Sequence, residues 1–193
     1  MRNKDFILAS ASPRRLQLLK QIGIKCKQVI AADIDETPLH KESPKNLAKR
    51  LAEEKAKKVA QTNKDTFIIA ADTVVACGNR ILPKAEEEDQ ARTCLKLISG
   101  RRHHVYGGIC VITDENKVIS RVRDTTVKFK RLTHQEIEHY IQGKEWQGKA
   151  GGYAIQGLAA GYVESINGSY SNVVGLSLYD ILQIMNGNGF FIK

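Results

Sequence analysis

The sequence predicts an α/β architecture with a mixed sheet and flanking helices, on three observations. Short apolar runs of strand character alternate with segments whose apolar residues recur at helical spacing. Phe67-Ile68-Ile69-Ala70-Ala71 is apolar without interruption, the pattern of a strand buried on both faces. A hairpin pattern between residues 105 and 132 adds antiparallel pairing, so the sheet is mixed.

Phe6 to Ala9 reads as the first strand. Ser10-Ala11-Ser12 then turns into a helix, with Ser12 as N-cap, Pro13 at the first position and Gly23 as terminator. Lys25 to Ala32 is a second strand, followed by the acidic loop Asp33-Ile34-Asp35-Glu36. Ser43-Pro44 opens a helix striped by Leu47, Ala48, Leu51, Ala52, Ala56 and Val59. The central strand ends at Asp72-Thr73 and resumes as Val74-Val75-Ala76, and Gly78-Asn79 turns. A helix with an acidic start runs from Glu86 to about Ile98, its three glutamates suited to the helix dipole. Val105–Thr113 and Val118–Leu132 form the hairpin, with Thr125, Val127 and Phe129 on one face. Thr133 to Glu136 is a capping box leading a helix that buries Ile137, Tyr140 and Ile141. A glycine-rich stretch from Gly148 to Gly157 precedes a strand from Tyr162 to Ile166 and a helix from Val173 to Met185. Phe190-Phe191-Ile192 adds a last strand or tucks under the sheet.

The 193 residues are expected to form one domain, residues 1–193, since no linker, repeat or low-complexity tract divides them. Thirty Lys and Arg against 21 Asp and Glu give a net charge of +9, which calls for an anionic partner. Cys26, Cys77, Cys94 and Cys110 are widely spaced without a CxxC, so reduced thiols are expected rather than a zinc site. The first apolar run is too short for a signal peptide, and no stretch approaches a membrane span, so a cytoplasmic protein without a membrane partner is expected.

Three features carry candidate chemistry. Arg14 and Arg15 stand in a first helical turn, where free N–H groups already make a positive end. Unless they are merely solvated, an anion must sit between them, and phosphate fits. Asp72 stands at the end of a buried strand, where its charge needs a cation, donors or water, and where α/β sheets bind ligands. Glu36, with Asp33 and Asp35, offers hard oxygens to a divalent ion. There is no P-loop, no GxGxxG after the first strand, no GxSxG and no HExxH. His103 and His104 are adjacent on a strand and point to opposite faces, which argues against a shared metal.

The motifs Ser10-Ala11-Ser12-Pro13-Arg14-Arg15, Ala71-Asp72-Thr73 and Lys149-Ala150-Gly151-Gly152-Tyr153-Ala154-Ile155-Gln156-Gly157 stand in order along the chain. With Asn167-Gly168-Ser169-Tyr170 and Val173-Val174-Gly175-Leu176, they resemble the Maf-type nucleoside triphosphate pyrophosphatases over nearly the whole length. The resemblance implies a fold like that of the inosine triphosphate pyrophosphatases, with two lobes around a central cleft. It implies hydrolysis of a nucleoside triphosphate to the monophosphate and pyrophosphate, a divalent cation (magnesium or manganese) and a homodimer. Asp72 matches the catalytic aspartate. Ser10, Arg14, Arg15, Glu36, Lys55, Lys84 and Gln156 match cleft positions, and Arg14, Thr73 and Gln156 match those linked to base choice. The IQG ending resembles the subgroup acting on dTTP and UTP rather than the one acting on 7-methyl-GTP. The chain departs from the family pattern at Gly148, where Asp is usual, at Ala85, where Pro is usual, and at Ser177.

On this reading Arg14, Arg15, Lys55 and Lys84 hold the triphosphate, with Ser10 and first-turn N–H groups as further donors. Glu36 and Asp72 hold the metal, Asp72 directs the attacking water, and Gln156 and Thr73 read the base. Nucleic acid is not required. Three alternatives stay open: 7-methyl-GTP-type specificity, a basic nucleic-acid-binding or regulatory module without catalysis, and a phosphatase that removes the terminal phosphate.

Overall fold

The computed structural model describes residues 6–190. Strand β1 (Phe6–Ala9) leads into helix α1 (Pro13–Gln21), and β2 (Gln28–Val29) is followed by α2 (Pro44–Ala60). Strand β3 (Phe67–Cys77) turns at Gly78 into β4 (Arg80–Leu82), and β5 (Lys84–Ala85) precedes α3 (Glu88–Ile98). The long hairpin comprises β6 (Arg102–Ile112) and β7 (Val118–Phe129), followed by α4 (His134–Gln142) and β8 (Lys149–Ala150). A 3-10 helix (Leu158–Tyr162), β9 (Val163–Asn167), α5 (Tyr170–Val174) and α6 (Leu178–Gly187) follow.

The main sheet runs in the spatial order β2-β1-β3-β6-β7-β9, with β4 also paired to β3. Strand β1 is parallel to β2 and β3, and the other pairings are antiparallel, which makes the sheet mixed as predicted. A separate two-stranded ribbon joins β5 to β8. Helix α2 covers one face of the sheet, with Leu47, Ala48, Leu51, Ala52, Ala56 and Val59 all buried. The larger apolar cluster lies on the other face and takes in α1, α3, α4 and α6. No helix among the described residues is long and apolar enough to cross a membrane.

Helix α2 can lie this close because Gly108 of β6 has no side chain. A Cβ there would meet the carbonyl oxygen of Ala48 at 1.9 Å. Gly108 is also the register partner of Asp72, so the close approach brings α2 down over that carboxylate.

Several local expectations need correction. Strand β2 is two residues long rather than Lys25–Ala32, and Val29 is 44% exposed, because β2 is a sheet edge with little apolar surface to bury. Strand β3 runs through Asp72-Thr73 without a break, since continuous pairing with β6 holds both residues. Ser12 stands at the N-cap of α1 but makes no side-chain cap; its N–H donates to Ser10 Oγ at 3.2 Å. Helix α3 begins at Glu88, two residues later than expected, with Glu87 as N-cap in a capping box with Gln90. The pairing of β6 begins at Arg102, β7 ends at Phe129, and β9 begins after Tyr162. The helix expected over Val173–Met185 is two helices, broken at Gly175 (φ 142°), where α5 ends, and at Ser177, which caps α6 through Asp180. Phe190 tucks under the sheet, its ring edge-on to Phe6 and Phe67; Phe191 and Ile192 lie outside the described residues.

His103 and His104 do face opposite sides of β6. His104 bonds Asp124 at the surface, whereas His103 is 0% exposed between the rings of Phe129 and Tyr153. Its Nε2 meets the Tyr153 hydroxyl at 2.8 Å, and Nδ1 has no partner among the described residues. Burial, and then the neighbouring His104, push the His103 pKa down to about 4. In the unfolded chain the ring protonates near its ordinary value of about 6.5. The stability from keeping it neutral is therefore complete above that value and is lost as pH falls from about 6.5 toward 4. A His103→Phe variant should show a flatter decline of Tm across that window; an equally steep decline would assign the acid sensitivity to other groups. Cys94 and Cys110 are buried free thiols, with Cys26 and Cys77 partly covered.

Candidate active site

Strand β1 stops at Ala9, beside Ala70, while β4 joins the same edge of β3 only at Val75. Ala71–Val74 therefore have a strand neighbour on the β6 side alone, and the chain leaving β1 turns away at Ser10. Alternation sends Asp72 to the α2 face and Thr73 to the α1 face. Both reach one cleft of about 440 Å³ that opens at this gap in the sheet.

On the α2 face, Asp72 is 2% exposed and Lys55 7% exposed. Lys55 Nζ donates to Asp72 Oδ1 at 2.5 Å and to Glu36 Oε1 at 2.6 Å, and Lys84 Nζ donates to Glu36 Oε2. Burial alone would raise the pKa of Glu36, but the two lysine hydrogen bonds outweigh it and hold the carboxyl below the usual glutamate value. Of the acidic loop, only Glu36 turns into the cleft. Asp35 instead accepts from the Thr37 N–H, and Asp33 does not line it.

On the other face, Arg15 is buried, and three of its five N–H donors are engaged. Nε donates to the Gly175 carbonyl at 2.9 Å, Nη1 to Ser10 Oγ at 2.8 Å and Nη2 to Thr73 Oγ1 at 3.2 Å. Burial lowers its pKa, and nearby Asp72 opposes that. Arg15 therefore ties the first helix, the central strand and the end of α5 into one wall. Arg14 stays half-buried at the cleft surface. In all, Arg14, Arg15, Lys55, Lys84 and Lys149 line the cleft against Glu36 and Asp72, an excess of three positive charges that suits a polyphosphate.

The sequence matches the Maf-like protein family over residues 5–188. The chain belongs to the Maf family. A Paramagnetospirillum magneticum protein named dTTP/UTP pyrophosphatase is 59% identical over 184 residues, covering 95% of this chain and 97% of the relative. A Mesorhizobium japonicum protein of the same name is 54% identical over 195 residues, covering 98% and 94%. Among solved structures, a HAM1 protein from Coxiella burnetii aligns with 67% of this chain and 74% of its own, at 16% identity and a TM-score of 0.46.

The structure of this Maf chain brings all the predicted site residues to one place: Ser10, Arg14, Arg15, Glu36, Lys55, Asp72, Thr73, Lys84 and Gln156 line the same cleft. Gln156 is exposed at its mouth. Residue-by-residue reading missed Lys149 as a cleft cation and Asn172 as a support. Asn172 Nδ2 donates to the Val105 carbonyl at 2.9 Å and to Thr125 Oγ1 at 3.0 Å, seating α5 so that Gly175 meets Arg15. Lys149 opens the KAG motif and Asn172 lies between the motifs at residues 167–170 and 173–176, so a place in or beside a family motif was the only signal for them. Where the family usually has Asp, Gly148 takes a left-handed φ of 63° at the cleft wall, a conformation natural to glycine.

Proposed function

We propose that this Maf chain hydrolyses dTTP and UTP to the monophosphate and pyrophosphate. The observation that supports this best is the pairing of a nearly buried carboxylate, Asp72, with a cleft that carries three surplus positive charges. The naming of relatives at 54–59% identity supports the pyrimidine substrates.

Arg14, Arg15, Lys84 and the first-turn N–H groups of α1 take the phosphate oxygens. Ser10 Oγ already accepts from Arg15, which leaves its O–H free to donate. Lys55 fixes Asp72 through Oδ1. Asp72 Oδ2 takes no hydrogen bond among the described residues, and there it receives the proton of the attacking water. As the water oxygen bonds to the α-phosphorus, the bond to the bridging oxygen breaks and pyrophosphate leaves. Thr73 and Gln156, which both line the cleft, read the base.

A divalent cation fits this donor set. Asp72 and Glu36 are hard oxygen donors that Lys55 draws toward one point. No group of three His, Cys, Asp or Glu among the described residues closes a cage. Magnesium is ordinarily held in such a way, by one or two carboxylates plus substrate phosphates. Asp72 and Glu36 would hold it, and when bound it would offset charge on the phosphates.

The test is a panel of dTTP, UTP, CTP and GTP with the products identified. Pyrophosphate and monophosphate from dTTP and UTP, with kcat/KM falling steeply for GTP, are expected, because a site built to hydrogen-bond one base leaves groups unpaired with another. Release of orthophosphate instead would make the protein a terminal phosphatase. A preference for GTP would contradict the base assignment. Salt-sensitive binding of DNA with no nucleotide turnover would point to the non-catalytic alternative.

A further inference from the structure

The five cations of the cleft are not equivalent. Lys55 and Lys84 are tied to carboxylates, and Arg15 gives three of its five N–H donors to Gly175, Ser10 and Thr73. Arg14 and Lys149 have no carboxylate in ion-pair contact among the described residues. Among the described residues the Lys149 ammonium donates only to the neighbouring Gln147 carbonyl, at 2.7 Å.

These two stand on different walls. Arg14 belongs to the first turn of α1, and Lys149 to β8, whose backbone is pinned to β5. Lys149 is the register partner of Ala85, the Gly148 N–H donates to the Ala85 carbonyl at 2.9 Å, and the Gly151 N–H donates to the Pro83 carbonyl at 3.0 Å. Burial lowers the pKa of each cation, and at Lys149 the proximity of Arg14 adds to it. Two partly desolvated like charges that face one space are unfavourable by themselves and become favourable with an anion between them.

Which part of the substrate they take follows from the carboxylates. Asp72 and its paired lysine mark where the α-phosphorus reacts, so the unpaired cations are left for the phosphoryl groups that depart. We propose that Lys149 is a further substrate-binding residue that, with Arg14, grips the departing pyrophosphate end of the phosphate chain. Inorganic pyrophosphate is then a ligand of the same pair and inhibits as a product. The inference rests on the pyrophosphatase reading given above.

Calorimetric titration of inorganic pyrophosphate and of dTMP into the full chain, in metal-free buffer, tests it, with wild type, Lys149→Met and Lys149→Arg compared. Loss of one charge-assisted contact should weaken pyrophosphate binding by about tenfold or more in Lys149→Met. Lys149→Arg should recover most of that affinity, dTMP should bind all three alike, and Tm should stay near wild type for this surface-accessible residue. Unchanged pyrophosphate affinity in Lys149→Met overturns the proposal, as does an equal loss for dTMP, which would put Lys149 at the nucleoside end. If wild type binds pyrophosphate in a Lys149-dependent way but releases none from dTTP, the reaction assignment fails while the anion site stands. If wild type binds no pyrophosphate, the site itself falls.

Discussion

Asp72→Asn should cut pyrophosphate release by about 100- to 10,000-fold while nucleotide binding stays at or above the wild-type level. The range is what a positioned general base typically contributes. The amide keeps the shape of the carboxylate and still accepts from Lys55, so the wall of the cleft is preserved. It cannot take the proton of water. It also removes one of the two negative charges in the cleft, which favours the bound polyanion. Binding by equilibrium titration and turnover by pyrophosphate release must therefore separate. Near-normal release by the variant would take Asp72 out of the base role and return the reaction to the cations alone.

Gly108→Ala is the second change with a large expected effect, although residue 108 lies under a helix and touches no substrate. The added Cβ would sit 1.9 Å from the Ala48 carbonyl oxygen, and that oxygen is helix backbone with no side-chain torsion to relieve it. Helix α2 must retreat by about 1.5 Å to restore ordinary contact. Overpacking of this kind costs about 1–3 kcal/mol, or very roughly 2–12 °C in Tm for a chain of this size. Lys55 rides on the same helix two turns from Ala48, so its contacts to Asp72 and Glu36 open as well. Misplacement by about 1 Å can cost about 100-fold in rate, and kcat/KM measured well below the lowered Tm should show a fall of that order. Gly107→Ala is the control. Its Cβ meets the Asn172 side chain at 1.8 Å rather than α2, so it should destabilise through the α5 seat of Arg15 while leaving the Lys55 contacts in place, and it controls for loss of stability rather than for turnover. A Gly108→Ala enzyme of lowered Tm but full turnover would uncouple the seating of α2 from catalysis.

These two positions mark where the sequence was legible and where it was not. Asp72 stands out in the chain because a carboxylate after five apolar residues has no cheap explanation. Arg14 and Arg15 stand out because they oppose the dipole of their own helix. Gly108 gives no such sign: in a strand pattern, an isolated glycine reads as a weak spot until the helix above it is known. Lys55 is marked by the family resemblance alone and not by its local pattern, because its burial depends on how closely α2 approaches the sheet. His103 is similar, a residue at a strand start whose orphaned Nδ1 is visible only once Phe129 and Tyr153 close over it. The single helix expected over Val173–Met185 failed for a local reason: the apolar spacing continues across Gly175, but the turn there is needed to aim a carbonyl at Arg15. The strand boundaries missed by a few residues are those set by a pairing partner rather than by composition.

The hydrogen bond from Arg15 to Gly175 spans 160 residues of chain. During synthesis, the strands and helices of the N-terminal half emerge long before the segment that supplies that carbonyl. Until α5 docks, the Arg15 guanidinium lacks one of its three acceptors, and the Thr73 wall of the cleft has nothing behind it. A nascent or C-terminally clipped chain could thus fold its sheet and still be unable to hold a triphosphate in register. If docking of α5 is the last step of folding, recovery of activity after dilution from denaturant should lag behind recovery of helical circular dichroism; simultaneous recovery would place that docking with the rest of the fold.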